Sequence, residues 1–298
     1  MESSMSLTVI RTLAFVTLLS AGNAQAIVID ANLADWGVQR NGQATGLTPS
    51  PNSSTKAFKI EDQNTSYLIP GYGGQAYDAE ALYVSWDNSH LYVAIATGHS
   101  PLTANTPNSN SYGAGDIAID FGVNGSFEYG VELLSGSLVS NVNNTITKST
   151  DVYSGVNWAV GVFRANGSWT GYYDPSNSNN VGQADPLHPT SIKSGTDVGN
   201  ALVAYTTLGQ NNFGAWAGDR HFFYEVSVPL SAFGADWQNG STFRVHWTQN
   251  CANDAIWVDT TATKQVPEPG TLALLPLGLL GLVALRRNKP ANKTTQQG

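Results

Sequence analysis

The residues of this chain that are best suited to chemistry are aromatic side chains. The 298 residues include eight Trp and twelve Tyr, and the flat face of an aromatic ring can stack on a sugar ring. Trp216 and Trp237 lie near glycines in predicted loops, and Tyr172 and Tyr173 precede an Asn-rich segment. We expect Trp216 and Trp237 to be candidates for an exposed ligand platform, and Tyr172 and Tyr173 to be another. The alternative is that they fill the core, as large aromatic side chains usually do.

Carboxylates form a second group of candidates. Asp116 and Asp120 share one face of a predicted strand, and so do Glu128 and Glu132. Two carboxylates on one strand face can share a cation or act as an acid–base pair, but they can equally form the solvated side of a sheet. The segment 174–180 offers oxygen ligands for calcium, yet it lacks the alternating Asp and the final Glu of known calcium loops.

Other catalytic and metal-binding patterns are absent from the sequence. The histidines are scattered and lack HExxH spacing; they are His90, His99, His188, His221 and His246. The single cysteine leaves no CxxC pair. There is no GxSxG motif and no P-loop. The sequence therefore predicts no metal centre, no cofactor other than a possible calcium ion, no catalytic residue and no enzymatic activity. Cys251 has no partner for an internal disulfide and is expected to be buried.

Charge excludes one class of partner. Only 12% of the residues are charged, and the formal net charge is −8. An acidic domain repels a phosphate backbone, so nucleic acid is not an expected partner.

The elements that must position these residues are strands. Runs of aromatic and β-branched residues, separated by turn residues such as Asn-Gly, predict about ten strands. They lie at 81–87, 91–97, 117–121, 127–134, 158–163, 169–173, 201–205, 222–228, 242–248 and 255–258. Residues 229–233 predict one helical turn, and 99–113 and 174–200 predict long surface loops. We expect an all-β fold, a single antiparallel β-sandwich of the jelly-roll type, over residues 27–265.

The beginning of the chain has the three parts of a secretory signal peptide. Arg11 precedes the apolar run 12–21, and the small residues Ala24 and Ala26 follow it at the spacing that signal peptidase requires. We expect the Sec machinery and signal peptidase to act on residues 1–26 and to leave a mature chain that starts at Ile27.

The C-terminal region predicts a membrane segment. Residues 271–285 are uncharged and apolar, and basic residues follow at once. The positive-inside rule places the tail 288–298 in the cytoplasm and the globular domain outside. The segment is short for a bilayer, unless the residues before it contribute.

The order of the C-terminal residues is more specific than that of a plain anchor. A Pro-Glu-Pro triplet, an apolar helix and paired arginines resemble the PEP-CTERM sorting signal over residues 266–287. Its motif residues here are Pro267, Glu268, Pro269, Arg286 and Arg287. The resemblance implies recognition by an exosortase, transient anchoring in the inner membrane, and delivery to the outer surface or extracellular matrix of a Gram-negative, exopolysaccharide-producing bacterium.

Several segments of the central domain together resemble DOMON-like domains, which include the family 9 carbohydrate-binding modules. These segments are 29–36, with an opening strand and turn, and 86–93, 115–121 and 224–230, while 246–254 resembles a segment common in PEP-CTERM surface proteins of this type. The resemblance implies a carbohydrate-binding β-sandwich. We expect a non-catalytic surface protein that associates with exopolysaccharide. The alternatives are a secreted glycan hydrolase and a structural adhesive protein without a small ligand.

Overall fold

The structure is a computed structural model that describes residues 26–38, 46–62, 74–106, 109, 111–163, 169–172, 183–216, 218–252 and 254–263; side chains between 161 and 187 are not described. Within these described residues there are twelve strands. They are β1 (Ala57–Ile60), β2 (Ala79–Trp86), β3 (His90–Thr97), β4 (Ile117–Phe121), β5 (Tyr129–Val131), β6 (Ser137–Val142), β7 (Thr145–Phe163), β8 (Trp169–Tyr172), β9 (Gln183–Thr206), β10 (Phe222–Pro229), β11 (Thr242–Thr248) and β12 (Ala255–Thr261). Over these ranges the helical elements are short 3-10 turns, and no helix is long and apolar enough to cross a membrane.

All twelve strands belong to one antiparallel sheet. Ten of them follow the order β1-β2-β3-β10-β9-β7-β5-β4-β11-β12, and β6 and β8 each pair with β7. The prediction of an all-β, antiparallel fold is confirmed. The finer expectation of a jelly-roll or DOMON-like β-sandwich is not confirmed, because the strands form a single continuous sheet that curls until its two ends nearly meet.

Side chains connect the two ends of the sheet where backbone pairing stops. β12 lies against β1 and β2. The Trp86 indole donates to the carbonyl of Thr263 at 2.9 Å, and the Ala79 amide donates to Asp254 Oδ2 at 2.7 Å. These bonds satisfy backbone groups that an open edge would leave unpaired.

The sheet encloses one hydrophobic core and supports a second on its outer face. The inner core includes Val84, Ile95 and Trp247. The outer cluster packs Trp36 and Phe213 against the back of β2, β3 and β10. Because both faces of β2, β3 and β10 are covered, their sequences are nearly continuous apolar runs and do not alternate between apolar and polar residues.

The N-terminal segment covers the outer face without joining the sheet, so the opening strand expected within 29–36 is wrong. The backbone amides of Asp30 and Ala31 donate to the Glu225 carboxylate at 2.9 and 2.5 Å instead of to a neighbouring strand. The Trp36 indole also donates to Glu225, at 2.6 Å. A 3-10 turn, Leu33–Trp36, then places the indole in the outer cluster.

A second correction concerns the predicted loop 174–200, because residues 183–200 belong to β9. Most of this polar stretch pairs with the long strand β7, and several register shifts accommodate residues such as Pro189. Pairing in a two-stranded ribbon satisfies the backbone whatever the hydropathy of the side chains, so composition alone did not indicate a strand.

The predicted hairpin at residues 81–97 is confirmed as β2 and β3. Its turn depends on Asp87, whose Oδ1 accepts hydrogen bonds from the amides of Ser89 and His90 at 2.7 and 2.8 Å. Burial opposes ionisation of this carboxyl, but these bonds outweigh it and lower the pKa of Asp87 to about 2. The helical turn predicted at 229–233 is likewise present, at Leu230–Phe233.

Candidate metal centre and exposed aromatic residues

Three chain segments that are distant in sequence meet at one end of the sheet. Asp62 lies two residues after β1, Glu80 lies near the start of β2, and His221 immediately precedes β10. One carboxylate or imidazole ligand atom from each of the three residues lies within 4.8 Å of the other two. We call these three residues the Asp–Glu–His cluster.

A β-bulge places Glu80 in this cluster. On β2, Ala79 pairs with Thr97 and Ala81 pairs with the next residue, Ala96, so Glu80 is the extra residue of the bulge. Its carbonyl accepts the amides of Glu61 and Asp62, at 2.8 and 3.3 Å. These bonds bring the end of β1 beside Glu80, and bulges commonly redirect side chains in this way next to functional sites.

Glu80 and His221 are fully buried and in close contact. Glu80 Oε2 lies 2.5 Å from His221 Nε2, and both side chains have no exposed surface. The two atoms are therefore each other's partners, and the backbone of Gln210 also forms a hydrogen bond with His221. Removing two charged groups from water is costly, so a fully buried pair of this kind calls for an explanation.

The charges of the cluster modify its pKa values. Burial raises the pKa of Glu80, and contact with His221 offsets only part of this effect. Burial lowers the pKa of His221, but the neighbouring carboxylates of Glu80 and Asp62 outweigh it, so that the net shift is upward. Titratable groups perturbed both by burial and by specific charges are typical of functional sites.

The loop 211–220, of which all but residue 217 is described, lies beside the cluster. Gln210 and His221 pair through both of their backbone hydrogen bonds at its base, at 2.9 Å each. Within the loop, the Ala215 amide donates to Asp62 Oδ2 at 2.5 Å. Phe213 packs on Phe223 with ring centroids 4.8 Å apart, which anchors the loop to the outer cluster. The loop is therefore attached to both the sheet and the Asp–Glu–His cluster.

Sequence reasoning missed this cluster and predicted no metal site. Glu80 and His221 do not stand at a recognisable ligand spacing, and their meeting depends on the bulge and on the strand order β2-β3-β10. A weaker signal was present, since Glu80 and Glu225 are acidic residues inside otherwise apolar strands. Such residues are seldom fully buried without a specific partner.

The structure separates the two tryptophans predicted as ligand residues. Trp216 lies in the loop 211–220 and is 45% exposed. Trp237 is half-buried and packs against the inner core, with ring centroids 5.8 Å from Phe233 and 5.3 Å from Phe243. Tyr172 ends β8, where side chains are not described, and Tyr173 lies outside the described residues. Trp237 therefore does not form an exposed platform with Trp216, and the predictions for Tyr172 and Tyr173 fall outside the described side chains.

Asp116, just before β4, and Asp120, within it, were predicted to share a strand face, but they bind backbone amides. Asp116 accepts hydrogen bonds from Leu133 at 3.1 Å and Ile192 at 2.9 Å. Asp120 accepts hydrogen bonds from Asn124 at 3.1 Å and Gly125 at 2.7 Å, which holds the turn after β4. Both carboxylates therefore have a structural role.

A further exposed tryptophan was not among the candidates. Trp257 on β12 is 41% exposed, whereas its neighbours Ile256 and Val258 are buried. The guanidinium carbon of Arg244 lies 5.7 Å from the ring centroid of Trp257. The alternation along β12 could have identified Trp257 as outward-facing, since successive side chains of a strand point to opposite faces.

Comparison with known protein families identifies the end of the chain. Residues 265–288 match the PEP-CTERM protein-sorting motif. The chain carries an exosortase sorting signal. This match confirms the sorting signal predicted at 266–287 and implies an exported protein that an exosortase processes. A search of curated proteins finds no match.

The residues of the sorting signal lie outside the described part of the structure. This applies to Pro267, Glu268, Pro269, Arg286 and Arg287, to the predicted membrane helix 271–285 and to the tail 288–298. Ala24 of the predicted signal-peptide cleavage site also lies outside it, whereas Ala26 is the first described residue and is exposed. The cleavage site and the membrane helix remain predictions.

Proposed function

We propose that the protein is a non-catalytic component of the cell surface or extracellular matrix that associates with exopolysaccharide after exosortase processing. The sorting motif at 265–288 is the observation that carries this proposal. On its route the protein is anchored in the inner membrane by the helix 271–285, and it then reaches the outer surface of a Gram-negative cell.

Trp216 is the side chain that we assign to sugar contact. It is a large aromatic residue with 45% of its surface exposed. The neighbouring Ala215 is tied to Asp62, so the loop that carries the ring is held to the sheet. A ring on an anchored loop loses little conformational freedom on binding, and tryptophans of this kind supply much of the energy at many interfaces.

Replacement of the ring tests this assignment. We expect Trp216→Ala to weaken binding to the exopolysaccharide of the producing cells at least about tenfold, which corresponds to ~1.4 kcal/mol. The measurement is co-sedimentation of the purified, exported protein with that polysaccharide over a range of concentrations. Leu208→Ala is the matched control, because Leu208 is a 59% exposed apolar residue on the same connection between β9 and β10.

Three results would contradict the proposal in different ways. Equal binding by Trp216→Ala and the wild-type protein would remove Trp216 from the site. Failure of the wild-type protein to bind polysaccharide would favour the structural adhesive. Release of new reducing ends from the polysaccharide would favour the glycan hydrolase, which requires a pair of carboxyl groups at a set separation.

A further inference from the structure

We propose that the Asp–Glu–His cluster binds a divalent first-row transition-metal ion, with Zn²⁺ the best-matched ion and Asp62, Glu80 and His221 as its protein ligands. This proposal does not depend on carbohydrate binding. It concerns the end of the sheet where β1, β2 and the loop 211–220 meet.

The burial of the ligand atoms is the first argument. His221 Nε2 and Glu80 Oε2 lie 2.5 Å apart with no exposed surface, and Asp62 brings a second carboxylate to the same imidazole. Burying a pair of charged groups is costly even when they contact each other closely. A metal ion bound between His221 Nε2 and Glu80 Oε2 would be a ligand partner for both atoms.

Gly214 leaves room beside the ligands. A Cβ atom at this position would lie 2.6 Å from Asp62 Oδ2 and 3.1 Å from His221 Nε2. The backbone of Gly214 also has φ +67°, which disfavours any other residue. The backbone at Gly214 thus passes close to Asp62 and His221. Because glycine has no side chain, it leaves the space beside these two ligands open.

The distances are close to those of a metal site. Zn²⁺ binds imidazole nitrogen and carboxylate oxygen at about 2.0–2.2 Å, which places tetrahedral ligand atoms about 3.3 Å apart. The three ligand atoms already lie within 4.8 Å of one another. Glu80 Oε2 and His221 Nε2, now at 2.5 Å, would need to separate by only about 0.8 Å to admit the ion.

The donor set selects the class of metal. One imidazole and two carboxylates suit Zn²⁺ and, less well, Mn²⁺, whereas Ca²⁺ takes six to eight oxygen ligands and does not favour imidazole. Two carboxylates also balance the charge of a divalent ion, which reduces the cost of burying Glu80. With three protein ligands, a fourth position would stay open for water.

A bound ion would also link three segments of the chain. Asp62 follows β1, Glu80 lies in β2, and His221 closes the loop that carries Trp216. An ion bound to all three residues would join segments that are far apart in the chain, and it would therefore stabilise the folded state by mass action.

Zinc binding by the exported protein, purified from its host and freed of metal with a chelator, tests the proposal. We expect ZnCl₂ to bind with one ion per chain, measured by calorimetry and elemental analysis, and to raise the temperature of thermal unfolding. X-ray absorption at the zinc edge should show an N/O first shell with one imidazole. MnCl₂ should bind more weakly, and CaCl₂ should not compete.

Two variants locate the ion, and a third is the control. Asp62→Asn removes a charged ligand that is only half-buried, and Gly214→Ala fills the space beside the ligands; each should weaken zinc binding at least about tenfold. Asp197→Asn makes the same substitution at an exposed residue of β9 and should leave binding unchanged. Circular dichroism checks that each variant is folded.

The proposal would be overturned by a wild-type protein that binds no zinc. It would equally be overturned by a zinc shell with sulfur or with two or more imidazoles, a result that needs no variant. Folded Asp62→Asn and Gly214→Ala proteins that bind zinc like the wild type would place the ion elsewhere, and the cluster would then be a buried Glu–His pair alone.

Discussion

At the scale of single residues, Glu225 shows how one buried carboxylate can organise a segment of chain. It accepts hydrogen bonds from the amides of Asp30 and Ala31 and from the indole of Trp36. The N-terminal segment thereby covers the outer face of the sheet without pairing as a strand. Burial outweighs these bonds and raises the pKa of Glu225 to about 8.

Removal of this carboxylate should destabilise the protein strongly. Glu225→Ala would leave three donors without an acceptor, and we expect the free energy of unfolding to fall by about 2–4 kcal/mol. Glu61→Ala is the control, because the described partner of the Glu61 side chain is the exposed Lys59, and loss of this ion pair should cost less than about 1 kcal/mol. Urea denaturation followed by tryptophan fluorescence measures both. Equal losses in the two variants would contradict the role of Glu225.

Among single residues, the exposure of one side chain could be predicted from the sequence, whereas a long-range contact could not. The position of Trp216 near Gly214 and Gly218 correctly indicated an exposed side chain, because glycines mark loops. The contact between Glu80 and His221 could not be predicted. It depends on a bulge of one residue, and shifting a strand by one residue sends every side chain to the other face.

At the scale of elements, Gly115 lies just before β4, where the backbones of β9 and β11 come close to it. Its amide donates to the carbonyl of Thr248 at 3.1 Å, and its carbonyl accepts from the indole of Trp247 at 3.1 Å. A Cβ atom on Gly115 would lie 2.3 Å from the Thr248 carbonyl oxygen and 2.4 Å from that of Thr190. Both obstacles are backbone atoms, so only movement of a strand could relieve the clash.

We therefore expect Gly115→Ala to lower the free energy of unfolding by about 1–3 kcal/mol. Gly218→Ala is the matched control, because its Cβ atom would meet nothing within 4 Å and should change stability by no more than about 0.5 kcal/mol. Thermal unfolding of the two variants gives the comparison. A Gly115→Ala protein as stable as the wild type would mean that the strands are less closely packed around Gly115.

Individual strands were easier to predict than their arrangement. The strand predicted at 242–248 coincides with β11, because its apolar alternation is strong. The polar part of β9 was assigned to a loop, since only its pairing with β7 makes it a strand. The nearly closed sheet depends on such long-range contacts as the Trp86–Thr263 hydrogen bond, which no local pattern encodes.

At the scale of the whole molecule, buried titratable groups make stability depend on pH. Burial raises the pKa of Glu225 to about 8 and that of Asp116 to about 6. The folded protein keeps these protons at pH values where the unfolded chain has lost them, so their stabilising contribution disappears as the pH rises. Burial lowers the pKa of His99 and His246, whose contribution is lost as the pH falls through about 6.5.

Above neutral pH, histidines with lowered pKa values are neutral in both the folded and the unfolded state. They therefore do not offset the effect of the carboxyl groups on stability, and the prediction is clearest there. We expect the free energy of unfolding to decrease between pH 7 and pH 9. Glu225→Gln has no titratable proton in this range, so we expect the decrease to be smaller in this variant. Urea denaturation at several pH values measures both proteins. Stability that rises over this range, or an equal slope in Glu225→Gln, would contradict the assignment.

The central claim about the whole molecule is that it is exported and then processed by an exosortase, as the sorting motif at 265–288 implies. Its most direct test is the intact mass and cellular location of the protein in its host, with and without the exosortase. We predict a mature chain that starts at Ile27, lacks Arg286 and Arg287 and leaves the membrane only when the exosortase is present. A membrane-bound chain that retains both arginines in both strains would contradict the claim and indicate a plain membrane anchor.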